Sequence, residues 1–95
     1  MADSQSTINN RQSPIIKVLV VDDSPTAREF ITHAITRPDI RVIGTASDGN
    51  EAVEFVKRIR PDVITMDIYM PGMGGLEATR RIMETNPVPI IIVSG

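Results

Sequence analysis

Ninety-five residues, 41% of them apolar, bound one small domain with room for a single core. A formal net charge of -2 with lysine and arginine scattered along the chain leaves no basic footprint for nucleic acid, and the absence of cysteine excludes disulfides and thiolate metal sites. No apolar run nears the roughly 20 residues that span a bilayer, and no charged-then-apolar leader opens the chain, so the composition predicts a soluble, cytoplasmic protein without membrane insertion.

Met1 to Ser13 is polar and aperiodic and leads into Pro14, which predicts a flexible N-terminal arm over residues 1–14 ahead of a folded domain over 15–95. From Ile15 the run Ile-Ile-Lys-Val-Leu-Val-Val is almost continuous in branched apolar residues, as in a central parallel strand covered on both faces. It ends in Asp22-Asp23. Ser24 can cap a helix whose first turn accepts Pro25, and Ala27, Phe30, Ile31, Ala34 and Ile35 form its predicted inner stripe, with Arg28, Glu29, Thr32 and His33 outward. Ile40 to Ala46 reads as a shorter strand, placed near an edge by Gly44 and Arg41. Asp48-Gly49-Asn50-Glu51 resembles a capping box, and the helix it opens is expected to bury Ala52, Phe55, Val56 and Ile59 and to run to Arg60, where Pro61 stops it.

Val63 to Met66 is an apolar run too short for a helix, so it reads as a buried strand, with Asp67 at its carboxyl end. Met70-Pro71-Gly72 and Gly74-Gly75 then force an exposed loop. A third helix over Leu76 to Asn86 is expected to turn Leu76, Thr79, Ile82 and Met83 inward and to pair Glu77 with Arg81 and Glu84 with Arg80. Pro87 and Pro89 lead into a last strand, Ile90 to Val93, before Ser94-Gly95. Strands alternating with helices require parallel pairing through crossovers, which predicts a doubly wound α/β layer structure.

In such sheets the ligand crevice lies outside the carboxyl ends of the strands. If the strands beginning at Ile15 and Val63 are neighbours, Asp22, Asp23 and Asp67 share one rim, and three like charges there repel unless a cation neutralises them. Mg²⁺ suits that role, because it takes oxygen ligands, few carboxylates and several waters. It would also screen an incoming phosphoryl group and let a carboxylate attack it, with the Ser94 hydroxyl placed to meet that group. Taken singly, each residue has a plainer reading: Asp22-Asp23-Ser24 as a helix cap, Asp67 as a loop carboxylate, Ser94 as an ordinary hydroxyl, His33 as a solvated helix position, and Met70 and Met73 as packing.

At Val20-Val21-Asp22-Asp23-Ser24, at Asp67-Ile68-Tyr69-Met70-Pro71-Gly72-Met73-Gly74-Gly75 and at Ile91-Ile92-Val93-Ser94 the chain resembles the response-regulator receiver family of two-component signalling. Val42 to Gly49, Asp62 to Asp67 and Pro87 to Gly95 further resemble the receivers of chemotaxis protein-glutamate methylesterases. The resemblance implies a flavodoxin-like fold with sheet order 2-1-3-4 over the strands present. It implies Asp67 as phosphoacceptor, Asp23 as a direct Mg²⁺ ligand with Asp22 acting through water, and the Tyr69 backbone carbonyl as a further ligand. Ser94 would be the hydroxyl that reports phosphorylation, with Gly95 leaving it room. A chemotaxis-type histidine kinase would be the donor, and a methylesterase output domain acting on chemoreceptors the effector.

The chain departs from the family pattern in two places. Gly74 stands where the family has Asp, a change of a few tenths of a kcal/mol as a helix cap. Beyond the fourth strand the family continues with a helix, a strand ending in an essential lysine and a last helix, whereas Lys17 and Lys57 are the only lysines here and neither is placed to replace it. The reading is therefore of a truncated receiver that is not itself the enzyme, with Ile90 to Val93 as a bare apolar edge. Two other classes stay open: a docking module that keeps the acidic rim without phosphorylation, and an aspartyl phosphohydrolase, disfavoured because Tyr69 occupies the place of its second acid.

Overall fold

A computed structural model describes residues 14–93; the predicted arm up to Ser13 and the positions of Ser94 and Gly95 lie outside the described residues. Seven elements follow in the expected alternation: β1 (Ile16–Val21), α1 (Pro25–Ile35), β2 (Ile40–Ala46), α2 (Gly49–Arg58), β3 (Val63–Asp67), α3 (Gly75–Thr85) and β4 (Ile90–Val93). The strands form one parallel sheet in the order β2-β1-β3-β4, so the expected sheet order 2-1-3-4 is observed and β2 lies at an edge. Val18 to Val21 are buried because β1 is central and flanked on both sides.

Alternation along the strands divides the apolar residues between two faces. Leu19, Val21, Ile64 and Met66 form one cluster with Ala52, Val53 and Val56 of α2 and Ala78 and Ile82 of α3. This is the core. On the opposite face α1 packs chiefly over β1 and β2. Beside it Ile16, Val18, Val63 and Ile91 line an apolar groove of about 240 Å³ with Ile35 and Ile40.

That one-sided packing corrects the predicted helix faces. No residue of α1 is fully buried, and Phe30, expected to be inward, is 72% exposed. The helical stripe is there, but α1 covers only part of the sheet, and Phe30 and Ala34 of that stripe stay exposed. Arg28, expected to be outward, is half-buried. In α2, Val53 replaces Ile59 in the core, because the helix ends at Arg58 and Ile59 is already its extended C-cap. In α3, Leu76 is 63% exposed and Met83 49%, while Gly75, Ala78 and Ile82 are buried. The face was assigned to the larger apolar residues, but α3 lies so close to the sheet and α2 that small residues fill the contact.

Helix starts follow local chemistry. Ser24 Oγ accepts from the Ala27 N–H at 3.1 Å, with Pro25 in the first turn. Asp48 caps α2 through the Glu51 N–H at 2.8 Å, while the Glu51 carboxylate accepts from the Ser47 N–H at 2.7 Å, one residue earlier than in a strict capping box. Gly74 is the N-cap of α3 and offers no side-chain bond.

Candidate functional site

The strand register brings the acids together. Val21 of β1 lies opposite Met66 of β3, so the next residue along each chain places Asp22 beside Asp67. The Asp22 N–H still donates to Ala46 at the end of β2 at 3.1 Å, and its carboxylate Oδ1 accepts from the Ser24 N–H at 2.9 Å. Asp22 is thereby fixed at backbone and side chain, whereas Asp23 is exposed. Carboxylate oxygens of Asp22, Asp23 and Asp67 all lie within 4.8 Å of one another.

Asp67 feels that crowding. Partial burial, repulsion from Asp22 and a smaller repulsion from Asp23 hold its carboxyl above the usual aspartate value, against backbone N–H bonds from Tyr69 and Ile68 that favour the charged form. Three hard oxygen donors with an exposed opening suit a divalent cation such as Mg²⁺, which keeps part of its water shell.

The loop after Asp67 is built to return beneath it. Gly72 adopts the left-handed region (φ 73°) at the tip. Met70 is buried in the core and Met73 packs against it, so both methionines act in packing, as expected. The Met73 carbonyl accepts from the Gly49 N–H at 3.0 Å, tying the loop to the start of α2. Gly75 donates to the Ile68 carbonyl at 2.8 Å, and a Cβ at this position would fall 2.0 Å from the Asp67 carbonyl oxygen. Only glycine fits there.

Tyr69 lies two residues after the acid and is 79% exposed. Ser94 falls outside the described residues. His33 is exposed, as expected of a solvated helix position. Sequence reasoning missed two residues: Gly75, read only as a loop breaker, and Arg28, read as outward although its Nη1 donates to the Asp22 carbonyl at 2.7 Å. A further hollow of about 360 Å³ between β2 and α2, lined by Glu51, Glu54 and Arg58, contains none of the three carboxylates.

A twisted parallel sheet whose first and third strands end in this acidic cluster defines a receiver. The response regulator receiver domain family matches residues 18–95, and the chain belongs to that family. Within it the curated relatives that the chain matches are chemotaxis-type methylesterases. The chain is 63% identical over 82 residues to protein-glutamate methylesterase/protein-glutamine glutaminase 4 of Geobacter metallireducens, covering 85% of this chain and 24% of that protein. The corresponding protein of Nitrosospira multiformis is 58% identical over 82 residues, covering 85% and 23%. The chain thus spans about a quarter of the length of the curated relatives it matches, and most of each relative has no counterpart in these 95 residues. Among solved structures it is similar to the response regulator domain of Thermotoga maritima CheB, with 49% identity, a TM-score of 0.82, and coverage of 84% of this chain and 60% of that one. It is also similar to a chain of the CheX-CheY-BeF3-Mg²⁺ complex of Borrelia burgdorferi, with 36% identity, a TM-score of 0.82, and coverage of 92% and 67%.

Proposed function

We propose that this receiver is a phosphoacceptor switch in which Asp67 takes a phosphoryl group from a chemotaxis-type histidine kinase, and that the modification regulates a methylesterase output acting on chemoreceptors, in the cytoplasm. The observation that carries the proposal is the convergence of Asp22, Asp23 and Asp67, remote in sequence, within 4.8 Å. Asp23, Asp67, the Tyr69 carbonyl and, through water, Asp22 would hold Mg²⁺. When bound, the ion supplies charge neutralisation for the transferred phosphoryl oxygens. The structure in Borrelia burgdorferi that pairs CheY with BeF3 and Mg²⁺ supports this reading by similarity.

The residues of the chain divide the remaining work. The Ser24 N–H orients the Asp22 carboxylate, and the nearby Tyr69 and Ile68 N–H groups favour the charged form of Asp67. An Asp67 carboxylate oxygen attacks phosphorus, the new O–P bond forms as the donor P–N bond breaks, and the electron pair leaves on the imidazole nitrogen. Gly75 keeps the backbone behind Asp67 in place during attack. Ser94 would donate its hydroxyl to the bound phosphoryl group and report its arrival.

Incubation with Mg²⁺ and acetyl phosphate tests the reading. The intact mass is expected to rise by one phosphoryl group, and Asp67→Asn to abolish the rise. Steady release of phosphate with no adduct would instead indicate the hydrolase, and absence of both the docking module.

A further inference from the structure

The loop that follows Asp67 is held at two points, and a glycine stands at each. At one, Gly75 donates to the Ile68 carbonyl at 2.8 Å and lies against the Asp67 carbonyl. At the other the loop leans on a different element: Gly49, the first residue of α2, is buried and donates to the Met73 carbonyl at 3.0 Å. A Cβ on Gly49 would fall 2.6 Å from the Met73 carbonyl oxygen, 2.9 Å from Met73 Cγ and 3.0 Å from Ala78 Cβ. The seat is therefore filled from the loop and from α3 at once.

Local helix chemistry gives no reason for glycine at this position. Asp48 already caps α2 through the Glu51 N–H at 2.8 Å, and glycine is a poor helix former. The reason lies in the loop. Residues 68–74 run between the two contacts, with Asp67 at their root and the Tyr69 carbonyl, the proposed main-chain ligand, among them. Mg²⁺ demands near-ideal octahedral geometry, and a main-chain oxygen has no rotamers with which to follow the ion, so it goes where the loop goes.

We propose that Gly49 is a positioning residue for the metal: α2 acts as a strut whose first N–H fixes the loop, and with it the Tyr69 carbonyl, where Mg²⁺ can be bound. This inference rests on the phosphoacceptor reading and its metal site. The coupling is reciprocal, so a bond from Gly49 that favours the ion must itself be favoured by the ion, and by the same factor.

Two measurements test the strut. Calorimetry compares the Mg²⁺ affinity of wild type, Gly49→Ala and Val56→Ala, the last a cavity-forming change in the buried face two turns along the same helix. Hydrogen exchange of the wild type, with and without saturating Mg²⁺, compares the Gly49 N–H with the Ile59 N–H, which donates to the Phe55 carbonyl at 2.8 Å at the far end of α2. Gly49→Ala is expected to bind Mg²⁺ roughly tenfold more weakly, and the ion to slow exchange at Gly49 by about the same factor. Val56→Ala should keep the wild-type affinity, and Ile59 its rate. Undiminished binding in Gly49→Ala, an equal loss in Val56→Ala, or a Gly49 amide slowed no more than that of Ile59 overturns the strut and leaves the phosphoacceptor reading standing. If Gly49→Ala does not fold, the exchange comparison decides. A wild type that takes up no Mg²⁺ overturns both.

Discussion

Partial burial and repulsion from Asp22 and Asp23 disfavour the charged form of Asp67, and the sign of the effect on stability follows. Its folded pKa lies above its unfolded value, so the native chain binds more protons between the two. Stability is lost as pH rises through that window, and the penalty persists at neutral pH. Asp67→Asn is therefore expected to raise the urea midpoint at neutral pH in Mg²⁺-free buffer, and to lose that advantage at pH values below the ordinary aspartate range. Gly75→Ala should act in the other direction, because its methyl meets the Asp67 carbonyl. Overpacking of this kind costs about 1–3 kcal/mol, and denaturant melts should show it together with slower phosphorylation. The three acids were legible in sequence, since each follows an apolar run and strand tips of a parallel sheet share one rim. Gly75 and Arg28 were not. Their roles depend on where a loop and a helix return in space, a distance that no local pattern encodes.

At the scale of elements, existence and order were readable, and so was most of the buried face of α2, with Ala52 and Val56, whereas the faces of α1 and α3 were read only in part. In α3 the same apolar stripe contains Ile82, which is buried, and Met83, which is half exposed. Ile82→Ala is expected to cost about 2–5 kcal/mol, and Met83→Ala to stay within about 0.5 kcal/mol; thermal melts of the two variants separate the observed face from the predicted one. The outer side of α3 was read correctly. Arg81 meets Glu77 at 2.9 Å and Arg80 meets Glu84 at 2.9 Å, and Arg80 also bridges to Glu77 at 2.6 Å. Hydrogen bonds from Arg80 first and Arg81 second pull the Glu77 carboxyl from 4.5 down to about 2. A depressed carboxylate contributes stability that is present above its ordinary value and lost as pH falls through its folded one. Glu77→Gln should accordingly flatten the acid limb of the stability curve between pH 4.5 and about 2, an effect that shrinks as salt screens this solvent-exposed network.

The molecule as a whole is a sheet covered well on one face and partly on the other. α2 and α3 enclose the core, α1 covers chiefly β1 and β2, and β4 leaves Ile91 56% exposed beside the apolar groove. The strand order could be anticipated from the alternation of strands and helices together with the family resemblance, whereas the open groove follows from how far one helix can reach across four strands. What this architecture fixes for function is the meeting of two strand tips. Calorimetric titration of the folded chain with Mg²⁺ tests that meeting most directly. The account predicts saturable uptake of one ion per chain, abolished in Asp23→Asn; heats no larger than dilution, or the same uptake in that variant, would contradict it.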